Sequence, residues 1–180
     1  MKSVSLTTDR LVLRPPMAED CGAYLAYATS DRTRFVGGPR DRFAAIEKFA
    51  GMIGHWALRG YGRLILTNRA TGAALGHVGP LNFADEEVPE LTWTLWTATA
   101  EGQGIASEAA LAACRWIARD LGFARAVTSI HRDNIASQRI ATRLGGRATG
   151  DAAPHLAGAV VWDFDLAALA GPAPMKEEQL

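Results

Sequence analysis

The most regular alternation in the chain is Leu91-Thr92-Trp93-Thr94-Leu95-Trp96-Thr97, whose period of two and aromatic, β-branched content predict a strand. Arg10-Leu11-Val12-Leu13-Arg14 alternates in the same way and stops at Pro15-Pro16. Arg63–Thr67 and Ala73–Gly79, separated by the polar turn Asn68–Gly72, predict two strands with a tight connection. Ala126–Ile130 and Ala159–Trp162 complete the strands. Helical spacing appears over Glu19–Ala28, and again over Asp41–Leu58, where Phe43, Ile46, Phe49, Ile53 and Trp56 trace one apolar face. A third helix runs from Ile105 to Leu121 along Ala109, Ala110, Ala113 and Ile117, with Gly122 placed to end it. A fourth opens at Asn134 and stops at Gly145-Gly146.

This order places antiparallel pairs first and a parallel strand-helix-strand crossover later, which predicts one α/β domain over residues 1–170. The tail 171–180 is polar and proline-containing and is expected to be disordered. Composition fits an ordinary globular chain of 180 residues, 48% hydrophobic and 21% charged. Lys+Arg and Asp+Glu balance at 19 each, which argues against a broad nucleic-acid footprint and leaves room for a local anion pocket. The N-terminus lacks the apolar core of a secretory signal, and no run approaches the ~18 apolar residues of a membrane span. A cytoplasmic protein is expected, with Cys21 and Cys114 as free thiols. His55, His77, His131 and His155 show no metal-ligand spacing, so no metal is expected.

The chemistry concentrates at Gly102-Gln103-Gly104-Ile105-Ala106-Ser107, which joins the strand ending near Thr97 to a helix N-terminus. Glycines there allow a sharp turn with uncovered N–H groups, and the helix dipole favours an anion beside them. A phosphate or pyrophosphate is the expected guest; a plain strand-helix turn capped by serine is the alternative. The dinucleotide pattern fails at its third glycine, which is Ser107, and no G-x-x-x-x-G-K-[ST] loop exists.

Glu90-Leu91-Thr92-Trp93-Thr94-Leu95, the loop Glu101–Ser107 with Glu108-Ala109, and His131-Arg132-Asp133-Asn134-Ile135-Ala136-Ser137 followed by Leu144-Gly145 occur in order. Together they resemble the GNAT superfamily of N-acetyltransferases. Thr8-Asp9-Arg10-Leu11-Val12-Leu13-Arg14 looks like the opening strand of its RimJ- and RimL-type branch, the ribosomal-protein N-terminal acetyltransferases. The resemblance runs from about Thr8 to about Trp162. It implies a mixed, mostly antiparallel sheet of about seven strands with about four flanking helices. It implies that Gly102, Gln103, Gly104, Ile105, Ala106 and Ser107 hold the pyrophosphate of acetyl-CoA. The edge of the Trp93–Thr97 strand, Trp96 included, would pair with the pantetheine arm, and Asn134 would bond it, with Ser137 on the same helix face.

Three positions depart from the family pattern. Glu101 stands where Gln or Arg usually begins the loop, and it is expected to face solvent. Ala141 replaces the tyrosine that many members use to protonate the leaving thiolate; in the RimJ/RimL-like branch a serine at the Ser137 position has that role. Leu144-Gly145-Gly146 replaces the usual Leu-Gly-Phe.

The function expected is transfer of acetyl from acetyl-CoA to a primary amine, a protein N-terminus or a small molecule, in a ternary complex. Glu90 is the candidate base, with a solvated strand-end carboxylate as the plainer reading. Ser137 is the candidate acid, against a helix serine bonding its own backbone. Backbone N–H groups where the parallel strands separate would stabilise the oxyanion. Trp93, Trp96 and Trp116 otherwise read as core or pocket wall. Arg132, Arg139 and Arg143 surround the expected cofactor site. Thr33–Arg40 and the first two helices would line the acceptor side, and Asp31, Arg32, Arg34, Phe35 and Arg40 name no partner. Dimers are common in the family, and no segment marks an interface. A non-catalytic acyl-CoA-binding module, and an unrelated nucleotide-binding enzyme, are the rival functions.

Overall fold

Alternating side chains divide the interior into two layers. In the strand Leu64–Asn68, Leu64 and Leu66 pack with one core cluster and Ile65 with another, as period-two geometry requires. The structure, a computed structural model, describes residues 4–82 and 86–170. Its strands are Leu6–Thr7 (β1), Leu11–Arg14 (β2), Leu64–Asn68 (β3), Ala74–Leu81 (β4), Glu90–Leu95 (β5), Arg125–His131 (β6), Arg147–Ala152 (β7) and Ala159–Asp165 (β8). They form one sheet in the order β1-β2-β3-β4-β5-β6-β8-β7. Every neighbouring pair is antiparallel except β5 and β6.

The helices are Cys21–Ala28 (α1), Arg42–Arg59 (α2), Ile105–Arg119 (α3) and Ile135–Arg143 (α4). The crossover helix α3 lays Ile105, Ala109, Ala110, Ala113 and Ile117 against Leu64, Leu66, Val78 and Leu91. Its alanines allow a close approach to β4 and β5. Helices α1 and α2 cover the opposite face with Tyr24, Leu25, Phe49 and Met52 against Ile65 and Trp96. Cys114 is fully buried on α3, and burial pushes its thiol up to about 12, so it acts as a small apolar side chain.

Several expectations need correction. The apolar face of α2 is set by Ala45, Phe49, Met52 and Trp56, whereas Phe43 is 74% exposed and Ile46 and Ile53 are each 39% exposed. Phe49 and Trp56 of the expected face are buried, and the face extends to Ala45 and Met52, which pack with Tyr24 and Ile65. The sheet has two strands that hydrophobic patterning does not mark. β1 is two residues long, and β7 is exposed along its whole length and held by its ladder with β8. Strand β5 ends at Leu95, and the chain then turns back so that Trp96 N–H donates to Leu75 O, 2.7 Å away. The tail 171–180 lies outside the described residues.

Candidate active site

β5 and β6 share a single partner pair, Glu90 with Val127, and separate beyond it. In an ordinary ladder the next β6 amides would bond β5. Here Ser129 N–H donates instead to Glu90 Oε1 across the gap, at 3.2 Å. That donor is therefore occupied by the Glu90 carboxylate rather than by a carbonyl of β5. The separated strands open into a cleft of about 830 Å³.

The glycine loop closes one arm of this cleft. Gly102 and Gly104 have φ of 72° and 77°, and Gly104 is the N-cap of α3. A Cβ at Gly102 would meet nothing within 4 Å, so backbone conformation, not space, requires glycine there. An external clamp holds the loop. Arg10 donates from Nη1 to Gln103 O at 2.8 Å and from Nε to Glu108 Oε2 at 2.7 Å. Thr8 Oγ1 and Arg10 N–H donate to Glu108 Oε1 at 2.5 and 3.2 Å. Desolvation raises the Glu108 carboxyl, but these donors outweigh it and hold the group below the usual carboxylate range. The sequence pattern alone did not single out this clamp.

Of the residues expected to hold the cofactor, Gly102, Gly104, Ile105, Ala106, Ser107, Asn134 and Ser137 line the cleft. Gln103 does not; its amide donates to Thr99 O. Trp96 does not either. The turn after Leu95 drops its ring beside Tyr24, and its indole N–H donates to His77 Nδ1 at 2.9 Å. Trp93, on β5, is the tryptophan that lines the cleft, and its indole N–H donates to Ser137 Oγ at 3.2 Å. Asn134 caps α4, its Oδ1 accepting from Ser137 N–H at 3.2 Å. On the same helix Arg143 Nη1 donates to Ser107 Oγ at 3.4 Å.

Residues 10–147 match the family model described as an acetyltransferase (GNAT) domain. The chain belongs to the GNAT acetyltransferase family. An acetyltransferase from Agrobacterium tumefaciens is 30% identical, with 91% of this chain and 95% of that one covered and a TM-score of 0.83. A ribosomal-protein-S5-alanine acetyltransferase from Vibrio fischeri shares the fold at 14% identity, with 89% and 95% covered and a TM-score of 0.71. The Microcin C7 self-immunity acetyltransferase MccE, solved with acetyl-CoA and AMP, does so at 15% identity, with 87% and 92% covered and a TM-score of 0.69. No curated protein sequence is close enough to count as a match.

The second arm of this GNAT cleft lies under α1 and α2. Its wall includes Tyr24, Tyr27 and His77, with Arg40, Lys48 and Arg63 around them. Burial pushes the Tyr27 phenol up to about 12 and lowers His77 well below the ordinary imidazole value, so His77 is neutral. Its Nδ1 accepts from Trp96, which leaves the proton on Nε2. Lys48 keeps contact with solvent, yet desolvation and then the charges of Arg63 and Arg40 lower its ammonium to about 8, with Glu90 opposing. Glu101 was expected to face solvent. Its side chain is 60% exposed and is held by Arg32 Nη2 at 2.6 Å, which supplies a counter-charge to the carboxylate. Among the described residues no cluster could hold a metal ion, and no helix is long and apolar enough to cross a membrane.

Proposed function

We propose that this protein transfers the acetyl group of acetyl-CoA to a primary amine by direct attack within a ternary complex. The observation that carries this reading is the convergence on one cleft of the amide-rich start of α3 and the parted strands with Glu90 at their vertex. The first amides of α3 suit a pyrophosphate. The edge of β5 released by the separation suits the amide groups of a pantetheine arm, bonded as an added strand.

In this reading the amine nitrogen attacks the thioester carbonyl, the C–S bond breaks and the thiolate leaves. Glu90 takes the proton lost by the amine, directly or through a water. Its second oxygen, Oε2, is the one free for this, since Oε1 accepts from Ser129. Ser137 supplies a proton to the departing sulfur. Its Oγ accepts from Trp93 and no described group accepts its hydroxyl proton, so that proton is available for donation. Ala141 leaves no tyrosine to compete for the role. Holding the two substrates in line supplies roughly 7–11 kcal/mol of barrier reduction, and proton transfer a further factor of about 10²–10⁴.

The likeness in fold to a ribosomal-protein acetyltransferase supports a peptide N-terminus as one acceptor class, and a small amine is the other. Thermal unfolding with acetyl-CoA, and with ATP and NAD as controls, tests the cofactor. Saturation at ~100 times the dissociation constant adds about 2.7 kcal/mol of stability. Stabilisation by acetyl-CoA alone is expected, with no mass increase of the protein when amine is withheld. Stabilisation by NAD or ATP instead would remove the acetyltransferase reading.

A further inference from the structure

The arm of the cleft beneath α1 and α2 carries more positive charge than its own side chains neutralise. Arg40 precedes α2, Lys48 lies on it and Arg63 leads into β3, and all three line the cleft. They converge: Arg63 and Arg40 both act on Lys48 and on Tyr24, and Arg63 and Lys48 both act on His77. Among the described residues, ion pairs join Arg10 to Glu108, Arg14 to Asp20, Arg32 to Glu101 and Arg125 to Asp163, and these three cations take part in none of them. Glu90 is the carboxylate that acts on Lys48 and Arg63, and one of its oxygens is already committed to Ser129.

The register explains why these groups share one space. On β4 and β5, His77 lies opposite Thr94, Gly79 opposite Thr92 and Leu81 opposite Glu90, so these residues occupy one face. Arg63 immediately precedes Leu64, whose partner is Val78, and so stands beside Gly79. A Cβ on Gly79 would come within 3.3 Å of the Arg63 Cα, so the glycine admits this close crossing. A guanidinium cannot shed its charge to escape burial, and here one carboxylate, Glu90, faces both Arg63 and Lys48.

We propose that the amine acceptor carries an anionic group, a carboxylate or a phosphate, that sits among Arg63, Lys48 and Arg40 while its amine is presented to Glu90. This rests on the acetyltransferase reading of the cleft. The anion completes the charge set, with Arg63 offering a planar, two-pronged donor. The pyrophosphate is served elsewhere, by the start of α3 with Arg143 beside Ser107. An uncharged amine would gain nothing from the three cations, and its own ammonium form would be repelled by them.

The test uses the full chain with acetyl-CoA and matched amines: alanine with alaninamide for a carboxylate, and phosphoethanolamine with ethanolamine for a phosphate. Release of CoA gives kcat/KM for each, and thermal stabilisation of the CoA complex reports binding by any amine that is not turned over. The anionic member of at least one pair is expected to be favoured at least ~10-fold, by turnover or by binding. Lys48→Met and Arg63→Met should each reduce that preference severalfold, chiefly through KM, with acetyl-CoA affinity held within about twofold. Lys48→Met, on a solvent-contacting side chain, serves should Arg63→Met fail to fold. Equal or better use of the uncharged amines would overturn the proposal, as would failure of both anionic amines to react or bind. A parallel loss of acetyl-CoA affinity in the variants would assign the cations to the cofactor and also overturn it. Absence of acetyl-CoA binding in the wild type would instead defeat the acetyltransferase reading itself.

Discussion

Trp93 on β5 donates its indole N–H to the hydroxyl of Ser137 in the first turn of α4, at 3.2 Å, and so joins the two walls of the cleft where the strands part. This bond fixes the serine rotamer and leaves its proton for a substrate atom. Ser137→Ala is therefore expected to lower kcat by about 10²-fold with little change in acetyl-CoA affinity. Trp93→Phe, which keeps the ring and loses one hydrogen bond, should cost less than about 10-fold. Equal losses in both variants would make Ser137 a structural partner of the tryptophan and nothing more.

Glu90→Gln retains an oxygen to accept from Ser129 N–H, so the local structure should survive. It removes the base of the proposed mechanism. A fall of about 10²–10⁴-fold in kcat/KM is expected at neutral pH, narrowing as pH rises toward the pKa of the amine acceptor. Calorimetry should find acetyl-CoA binding unchanged. A variant of near wild-type rate would return Glu90 to the role of a strand-end carboxylate.

The clamp from Arg10 to Gln103 and Glu108 holds the glycine loop, to which the proposed mechanism assigns the pyrophosphate. Arg10→Met should weaken acetyl-CoA severalfold while leaving KM for the amine unaffected. Gly104→Ala forces a side chain into φ of 77° and should cost about 1–2 kcal/mol of strain, seen as lost stability, weaker acetyl-CoA binding or both. Wild-type affinity in both variants would show that the loop does not bind the cofactor.

His77 should make the protein acid-sensitive. Its folded-state pKa lies well below 6.5, so below about 6.5 the unfolded chain binds a proton that the folded chain refuses. Stability should therefore fall as pH drops from about 7 toward 5. His77→Gln should flatten this slope in denaturant titrations, leaving the part due to His55, which is shifted the same way by desolvation. An unchanged slope would mean that His77 is protonated in the folded state.

The sheet, the crossover and the glycine loop were legible in the sequence because each has a local signature: alternation over Leu91–Leu95, alanines at helical spacing after Ile105, and glycines at a strand-helix junction. Trp96 was misplaced because strand patterning continued past Leu95 and nothing local marks the turn toward Leu75. The α2 face was misread because Phe43 and Ile46 outweigh Ala45 and Met52 in hydrophobicity, although the latter face the core. β7 carries no apolar stripe and is defined by its partner alone. The Arg10 clamp and the grouping of Arg40, Lys48 and Arg63 depend on contacts between distant segments, which no local pattern encodes.

The most direct test follows CoA release from acetyl-CoA with and without a primary amine, with mass spectrometry of the amine, in wild type and Glu90→Gln. The expected result is amine-dependent release, equimolar with N-acetylated product and reduced about 10²-fold or more in the variant. Tight acetyl-CoA binding with no amine-dependent release across carboxylate-bearing, phosphate-bearing, uncharged and peptide amines would contradict catalysis and leave an acyl-CoA-binding module.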